Sequence, residues 1–282
     1  MDNEIWLNEN WKENLINYCN DYDIPIKYLV EVINDPKVIP MIRGKAFEFS
    51  VMQKLKEIIP QDEWIIEKPM INAQSGFHDI DIRMIHKKTD GVIRIECKLA
   101  KKESYKLLND SSNQSVILVK CMRSRTLGER ETTSRAPQLG IDKSILQIHN
   151  DQYLPQDFDI VITSIGNAFY ITNEESGLYM WKPTKKGSEF LNNLRSLDWE
   201  QEYKTLKDFT FNRMYVVKSA DLAVNKQNKV ICTRRKCKKK ESCGFIPNYP
   251  AIIFDNTSKP INNWIRIEDS LPIFQSFIEK SK

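Results

Sequence analysis

Hydrophobic residues recur at helical spacing over roughly the first sixty positions of the chain, which predicts amphipathic helices there. In the third of these helices the apolar residues share one face, and Pro60 closes the helix. The predicted helices cover about 3–20, 25–34 and 43–58, and the apolar face of the third consists of Phe47, Val51, Leu55 and Ile58.

Beyond Pro60 the apolar residues alternate with polar ones, which is the period of β-strands with two different faces. The Asp-Gly pair in 87-KKTDG-91 favours a tight turn, so the strands on either side of it are expected to form a hairpin. Predicted strands cover 63–68, 78–86, 92–98, 115–122, 158–165 and 168–172, with a helix over about 138–149 before the last two.

This order of helix, strands, helix and strands predicts an α/β fold with a mixed central β-sheet flanked by helices. Residues 1–42 are expected to form an N-terminal helical segment and residues 43–183 the core. The C-terminal segment, 184–282, could be a separate lobe or an extension of the same sheet. Its predicted elements are helices over about 186–195 and 199–207, strands over 214–219 and 251–255, and a closing helix from about 270.

Charged residues interrupt both strands of the predicted hairpin, HDIDIRMIH and VIRIECK. Alternation puts Asp79 and Asp81 on one face of the first strand. It puts Glu96 and Lys98 on one face of the second strand. If the strands pair, the two polar faces coincide and these side chains converge. The opposite face would bury Ile80, Ile82, Ile93, Ile95 and Cys97, the last as a buried spacer and not a ligand.

Carboxylates and a lysine gathered in one place can support hydrolysis of a phosphodiester bond. Hard divalent cations such as Mg²⁺ bind carboxylate, water and phosphate oxygens. A bound metal lowers the pKa of its water and steadies the leaving oxygen. A nearby lysine can stabilise the charge that builds at phosphorus, or help to position and deprotonate the attacking water. The alternative is a set of cross-strand ion pairs worth only about 0.2–1 kcal/mol each.

An aspartate on one strand, a hairpin, and Glu-x-Lys at the end of the next apolar strand resemble the PD-(D/E)xK nuclease family, here as Asp79 or Asp81 followed by 96-ECK-98. The helix sequence RGKAFEFSVMQKL is similar to the first core helix of that family, where a glutamate often supports the metal site. This position falls on Glu48. Downstream, YLPQDFDIVITSIGNAFY is similar to the passage that follows the catalytic hairpin in many restriction enzymes of the family. The proline that the family places before the aspartate is His78 here.

The resemblance covers about residues 43–172 and implies a restriction-endonuclease-like core, with the N-terminal and C-terminal segments as elaborations. It implies a metal-dependent DNA endonuclease that hydrolyses phosphodiester bonds in double-stranded DNA, in the form of a type II restriction enzyme. The C-terminal segment would then serve DNA recognition or dimerisation, and cleavage of a palindrome would favour a homodimer. Mg²⁺ is the expected metal, with Mn²⁺ as a substitute.

The residues implied by this resemblance are few. Asp81 is preferred to Asp79 as the main ligand because it lies deeper in its strand, although both spacings to Glu96 are compatible with the motif. The implied metal ligands are Asp81, Asp79 and Glu96, and the implied catalytic residues are Asp81, Asp79, Glu96, Lys98 and Glu48.

Two other functions fit the same residues. A repair, junction-resolving or modification-dependent nuclease would keep the chemistry and change the substrate. A non-catalytic DNA-binding module would use the sheet only as a scaffold for basic loops, and alanine at Asp81 or Glu96 would then leave its function intact. The sequence has no Walker-type glycine-rich loop, no Rossmann Gly-x-Gly pattern and no nucleophile elbow, which argues against nucleotidyl-transfer and small-molecule enzymes.

Basic residues are clustered, although the formal net charge is only +4. Such clusters favour a polyanionic partner such as the phosphate backbone of DNA, and a solvated flexible loop is the alternative. The candidate DNA-binding residues are Lys101, Lys102, Arg123, Arg125, Arg234, Arg235, Lys236, Lys238, Lys239 and Lys240.

Three of the six cysteines, Cys232, Cys237 and Cys243, could give thiolates to a structural Zn²⁺ whose fourth ligand comes from elsewhere. Their spacing argues against zinc, because Cys-x4-Cys-x5-Cys lacks a Cys-x2-Cys pair and has no adjacent histidine. The chain begins without an export signal and contains no apolar run that could span a membrane, so a cytoplasmic protein with reduced cysteines and no membrane partner is expected.

Overall fold

Two compact units make up the chain, residues 1–46 and residues 47–282. The computed structural model describes residues 10–69, 80–108, 113–197 and 203–279. The first unit contains α1 (Trp11–Asp21), a 3-10 helix (Ile26–Tyr28), α2 (Leu29–Ile33) and the start of α3 (Ile39–Ile58). These elements match the predicted helices, although positions 3–9 of the first prediction lie outside the described residues.

The second unit is built around a mixed six-stranded sheet. In the described residues the strands are β1 (Trp64–Glu67), β2 (Ile82–His86), β3 (Val92–Cys97), β4 (Lys106–Leu107), β5 (Ser115–Leu118), β6 (Ile160–Ser164), β7 (Tyr170–Thr172), β8 (Tyr179–Trp181), β9 (Met214–Lys218), β10 (Ala251–Phe254) and β11 (Ile265–Arg266). The central sheet has the order β1-β2-β3-β6-β9-β11, in which only β3 and β6 are parallel neighbours. Because β9 and β11 belong to it, the C-terminal segment extends the central sheet.

Helices cover this sheet, so the predicted α/β class with a mixed sheet flanked by helices is confirmed. The remaining helices are α4 (Glu129–Gln138), α5 (Lys143–Ile148), α6 (Lys185–Ser196), α7 (Leu206–Asn212), α8 (Ser219–Leu222) and α9 (Leu271–Glu279). No helix in the described part of the chain combines the length and the apolar character that crossing a membrane requires. The restriction-endonuclease-like core stays a prediction.

The middle of the sheet is buried on both faces, whereas β1 and β2 expose part of one face. One face packs against α3 and α9, in a core that contains Leu55, Ile95 and Phe274. The other face packs against α6, α7 and a small sheet of β10, β5 and β4, in a core that contains Val161 and Tyr215. A polar side chain in the buried middle of the sheet must therefore find partners within the protein.

The β2–β3 hairpin pairs as the alternating pattern predicts. Ile82 lies opposite Ile95 and Met84 opposite Ile93, and all four side chains are fully buried. Cys97 is also buried, whereas Ile80 is only half-buried and lies outside the core clusters. The register therefore leaves the charged residues of the hairpin on the other face.

Three predicted elements have different limits. Of the predicted helix 138–149, residues 143–148 are helical as α5, whereas residues 139–142 are not helical and Gly140 adopts a φ of 62°; α4, which ends at Gln138, was not predicted. Of the predicted helix 199–207, positions 199–202 lie outside the described residues, and α7 begins only after Thr205, whose hydroxyl accepts the N–H of Asp208 at 3.0 Å and caps the helix. Strand 115–122 ends at Leu118 and belongs to the small sheet, not to the central one.

Two adjacent isoleucines of β1 give a matched test of the core. Ile66 is 5% exposed and packs under α3, whereas Ile65 is 43% exposed on the other side of the strand. We predict that Ile66→Ala lowers the free energy of unfolding by about 2–5 kcal/mol because it leaves a cavity. Ile65→Ala should cost less than about 1 kcal/mol. Urea denaturation measures both, and equal losses would contradict this assignment of the faces.

Candidate active site

Asp81 and Glu96 come together at the open end of the β2–β3 hairpin. Asp81 immediately precedes β2, Glu96 is the penultimate residue of β3, and the two residues are 8% and 6% exposed. The backbone N–H of Cys97 donates to Asp81 Oδ2 at 2.8 Å. Extending the register by one residue from the Ile82–Ile95 pair also places Asp81 opposite Glu96. The structure thus brings together two of the carboxylates that the alternation predicts to converge.

Lys98 and Tyr153 bind the Glu96 carboxylate from the same side. Lys98 Nζ lies 2.5 Å from Glu96 Oε1, and Tyr153 Oη donates to that oxygen at 2.9 Å. The ammonium also lies 3.4 Å from Tyr153 Oη and 5.3 Å from the centre of the tyrosine ring. The charged end of Lys98 is therefore held between a carboxylate and an aromatic ring.

Burial and mutual repulsion shape the ionisation of this group. Burial raises the pKa of Asp81 to about 8, and the Glu96 and Glu48 carboxylates add to the rise. Lys98 works in the opposite direction on the same carboxyl. Burial alone would lower the pKa of Lys98, but Glu96, Tyr153 and Asp81 together outweigh burial, and the pKa of Lys98 lies well above its ordinary value. Lys98 is a cation throughout the physiological range, whereas Asp81 holds a proton at neutral pH.

Glu48 belongs to the same electrostatic group. It lies in α3, is buried, and forms an ion pair with Lys68, which follows the end of β1. The ammonium of Lys68 also lies 4.9 Å from the centre of the Phe49 ring. Glu48 is thus a third carboxylate beside Asp81, and Lys68 is its cation.

Arg123 positions Tyr153 behind the carboxylates. Its guanidinium lies 4.7 Å from the centre of the tyrosine ring, and its Nη2 lies 2.5 Å from Asp157 Oδ2. Its Nε donates to the carbonyl of Gln152 at 3.0 Å, and Arg135 contacts the other oxygen of Asp157 at 3.3 Å. Arg123, a candidate for phosphate contact in the sequence, is therefore occupied with structural partners.

The other candidate DNA-binding residues are distributed over loops. Lys102 contacts the hydroxyl of Thr172 and lies 3.5 Å from Glu103. Arg234 forms an ion pair with Asp151, so this basic side chain is also engaged. The exposed candidates are Lys101, Arg125, Arg235, Lys236, Lys238, Lys239 and Lys240.

Asp79 and His78 lie outside the described residues, so the metal-binding role of Asp79 stays a prediction. Tyr153 and Lys68 are the side chains at the site that sequence reasoning missed. The hydrogen bond from Tyr153 to Glu96 joins residues 57 positions apart, and no local pattern signals such a contact. For Lys68, its place directly after an apolar strand next to the hairpin was the available signal.

Comparisons of this chain with protein-family models, with curated proteins and with solved structures find no match. The chemistry of the site must therefore be argued from its own residues. Within the described residues, Asp81 Oδ1 and Glu96 Oε2 accept no hydrogen bond, while the other oxygen of each carboxylate does. Each of the two acids thus has one oxygen that receives no hydrogen bond from the described residues.

The raised pKa of Asp81 predicts how stability depends on pH. The folded protein holds a proton on Asp81 up to about pH 8, whereas the unfolded chain releases it near the ordinary value of 3.8. The folded state binds more protons between these values, so stability falls as pH rises through this range. In metal-free buffer, Asp81→Asn should flatten this fall, as measured by urea denaturation at several pH values. An unchanged slope would contradict the assignment.

Proposed function

We propose that this protein is a metal-dependent endonuclease that hydrolyses phosphodiester bonds in double-stranded DNA. The observation that carries the proposal is the pair of buried carboxylates, Asp81 and Glu96, beside the Lys98 ammonium. A solvated polar face of a strand would not explain it, because surface ion pairs do not require two acids to be buried together.

The donor set fits a hard divalent cation. Asp81 and Glu96 each offer one oxygen without a hydrogen bond among the described residues, and carboxylate oxygens are the ligands that Mg²⁺ prefers. The remaining oxygens are fixed by the Cys97 N–H and by Tyr153 and Lys98, as expected of ligands oriented by a surrounding shell. When bound, Mg²⁺ or Mn²⁺ would supply a water of lowered pKa and neutralise charge at the phosphate.

Lys98 would serve as a donor and not as a base. Its raised pKa keeps the ammonium protonated, so it can hydrogen-bond to a phosphate oxygen and stabilise the charge that builds there during attack. Tyr153 donates a hydrogen bond to Glu96 Oε1, the oxygen that Lys98 also contacts, and Arg123 lies over the tyrosine ring. Both are positioning residues, because neither would need to touch the substrate.

Two features support DNA as the substrate. The first is the resemblance of Asp81, 96-ECK-98 and the Glu48 helix to the PD-(D/E)xK nucleases. The second is the set of exposed lysines and arginines, of which Lys101 follows the site directly along the chain. The finer proposal is a type II restriction enzyme that acts on a short sequence as a homodimer, and it rests on the resemblance alone.

Cleavage of unmodified duplex DNA tests the proposal. With Mg²⁺, the protein should convert phage DNA into discrete fragments. Lys98→Ala, Asp81→Asn and Glu96→Gln should each lower the cleavage rate by about 10²–10⁴-fold, since the first removes the donor to the phosphate and the other two each remove a proposed metal ligand. Lys88→Ala, which removes an exposed lysine from the turn of the same hairpin, is the matched control and should cut like the unaltered protein.

The substrate panel separates the alternatives. If the protein cuts only methylated, branched or mismatched DNA, the metal-dependent nuclease chemistry would be supported and the restriction function would be refuted. Salt-sensitive DNA binding without cleavage under any of these conditions, or cleavage that survives Lys98→Ala, would refute the proposal.

A further inference from the structure

A second cluster of ligand-type side chains lies outside the carboxylate site. It consists of His149 and three cysteines, Cys232, Cys237 and Cys243, whose ligand atoms all lie within 4.8 Å of one another. The three cysteines are free thiols, and all four residues are buried or half-buried. The sequence placed the cysteines near one another but could not supply the fourth ligand, which comes from the end of α5.

His149 is oriented as a metal ligand. Its Nδ1 lies 2.5 Å from Gln152 Oε1. The amide of Gln152 cannot be reversed without losing a bond, because its Nε2 donates to the carbonyl of Ile246 at 2.9 Å. Oε1 must therefore accept the proton of Nδ1, which leaves a lone pair on Nε2. This Nε2 is buried and has no hydrogen-bond partner among the described residues.

The ring of His149 is also fixed in direction. It stacks on Phe245 with ring centres 4.2 Å apart and the planes 8° from parallel. Metal-bound histidines commonly donate their second ring N–H to a fixed acceptor, which sets the tautomer and the orientation of the ring. Here the Oε1 of Gln152 is that acceptor, for the Nδ1–H of His149.

The cysteines sit on a closed loop. The N–H of Cys232 donates to the carbonyl of Lys240 at 2.7 Å, and that of Cys237 donates to the carbonyl of Arg234 at 3.2 Å. Gly244 adopts a left-handed φ of 80°, which turns the chain back so that its N–H donates to Val224 at 3.1 Å. The turns therefore aim three thiols at one point.

The part of the loop that carries the cysteines, residues 229–243, has few other contacts with the rest of the described chain. Residues 223–250 contain no helix and no strand, and a segment longer than about 12–15 residues without secondary structure is uncommon in a compact domain. Its own apolar cluster is small and is made largely of the cysteines themselves. Arg234 ties this part of the loop to the turn after His149 through an ion pair with Asp151 and a contact with Gln152.

We propose that His149, Cys232, Cys237 and Cys243 bind one structural Zn²⁺. Three sulfurs and one imidazole nitrogen form a closed set of the kind that zinc takes in structural sites, and sulfur ligands select it over Mg²⁺. Tetrahedral zinc would bring the ligand atoms to roughly 3.5–3.8 Å from one another, a small contraction from their present spacing. The metal holds the basic segment 234–240 in place, because this segment lies between the ligands Cys232 and Cys243 and contains the ligand Cys237. This inference does not depend on the nuclease proposal.

Metal analysis of the protein purified without added metal and without chelator tests the site. We expect about one equivalent of zinc per chain. Cys237→Ser and His149→Ala should lose it, whereas Cys19→Ala, which removes a buried cysteine of the first unit, should retain it. Replacement by Co²⁺ should give the visible absorption of tetrahedral thiolate cobalt, and this readout needs no variant that folds.

Tryptic digestion reports on the loop itself. With zinc bound, the lysines and arginines of 234–240 should resist cleavage, and a strong chelator should make this segment the first to be cut. Iron in place of zinc, a disulfide between two of the three cysteines, or a zinc content unchanged by Cys237→Ser would overturn the proposal. None of these readouts involves cleavage of DNA, so failure of the nuclease assay would not affect them.

Discussion

Two carboxylates buried next to each other repel, and a few groups around Asp81 and Glu96 offset that repulsion. Charges that are shielded from water interact strongly, so Asp81 and Glu96 cannot both ionise without a cation close by. Lys98 supplies one positive charge at Glu96, and Asp81 keeps its proton until about pH 8. A divalent cation bound by the two carboxylates would replace the proton on Asp81 and neutralise the negative charge of both acids.

The central sheet fixes the relative positions of Asp81 and Glu96. Side chains of α3 and α9 cover the face that Ile82 and Ile95 share, so the β2–β3 hairpin cannot shift its register without exposing these two residues. β3 pairs with β6 in parallel, and the segment before β6 carries Tyr153, which donates to Glu96. Arg123 lies over the ring of Tyr153 and forms an ion pair with Asp157 of the same segment. Each member of this chain of polar contacts satisfies its neighbour, which makes buried polar groups tolerable.

The alternation of polar and apolar residues predicted those site residues that lie close together in the sequence. Glu96 and Lys98 share a face because strand side chains alternate, and the Asp-Gly turn indicated the hairpin that aligns them with Asp81. The helix α4 was missed because its sequence, ERETTSRAPQ, is polar and contains a proline, and packing decides its fold. Likewise, His149 precedes the cysteines far back in the sequence and reaches them only through tertiary packing. Spacing along the chain cannot show a ligand that arrives from such a distance.

Direct binding of Mn²⁺, followed by the loss of its free-ion EPR signal, tests most directly whether Asp81 and Glu96 form a cation site. Mn²⁺ prefers oxygen ligands, so the thiolate cluster should not compete for it, and Cys237→Ser should bind it like the unaltered protein. The account predicts saturable binding that Mg²⁺ displaces and that Asp81→Asn and Glu96→Gln each remove. Mn²⁺ binding that persists unchanged in both variants, or no binding by the unaltered protein, would contradict it.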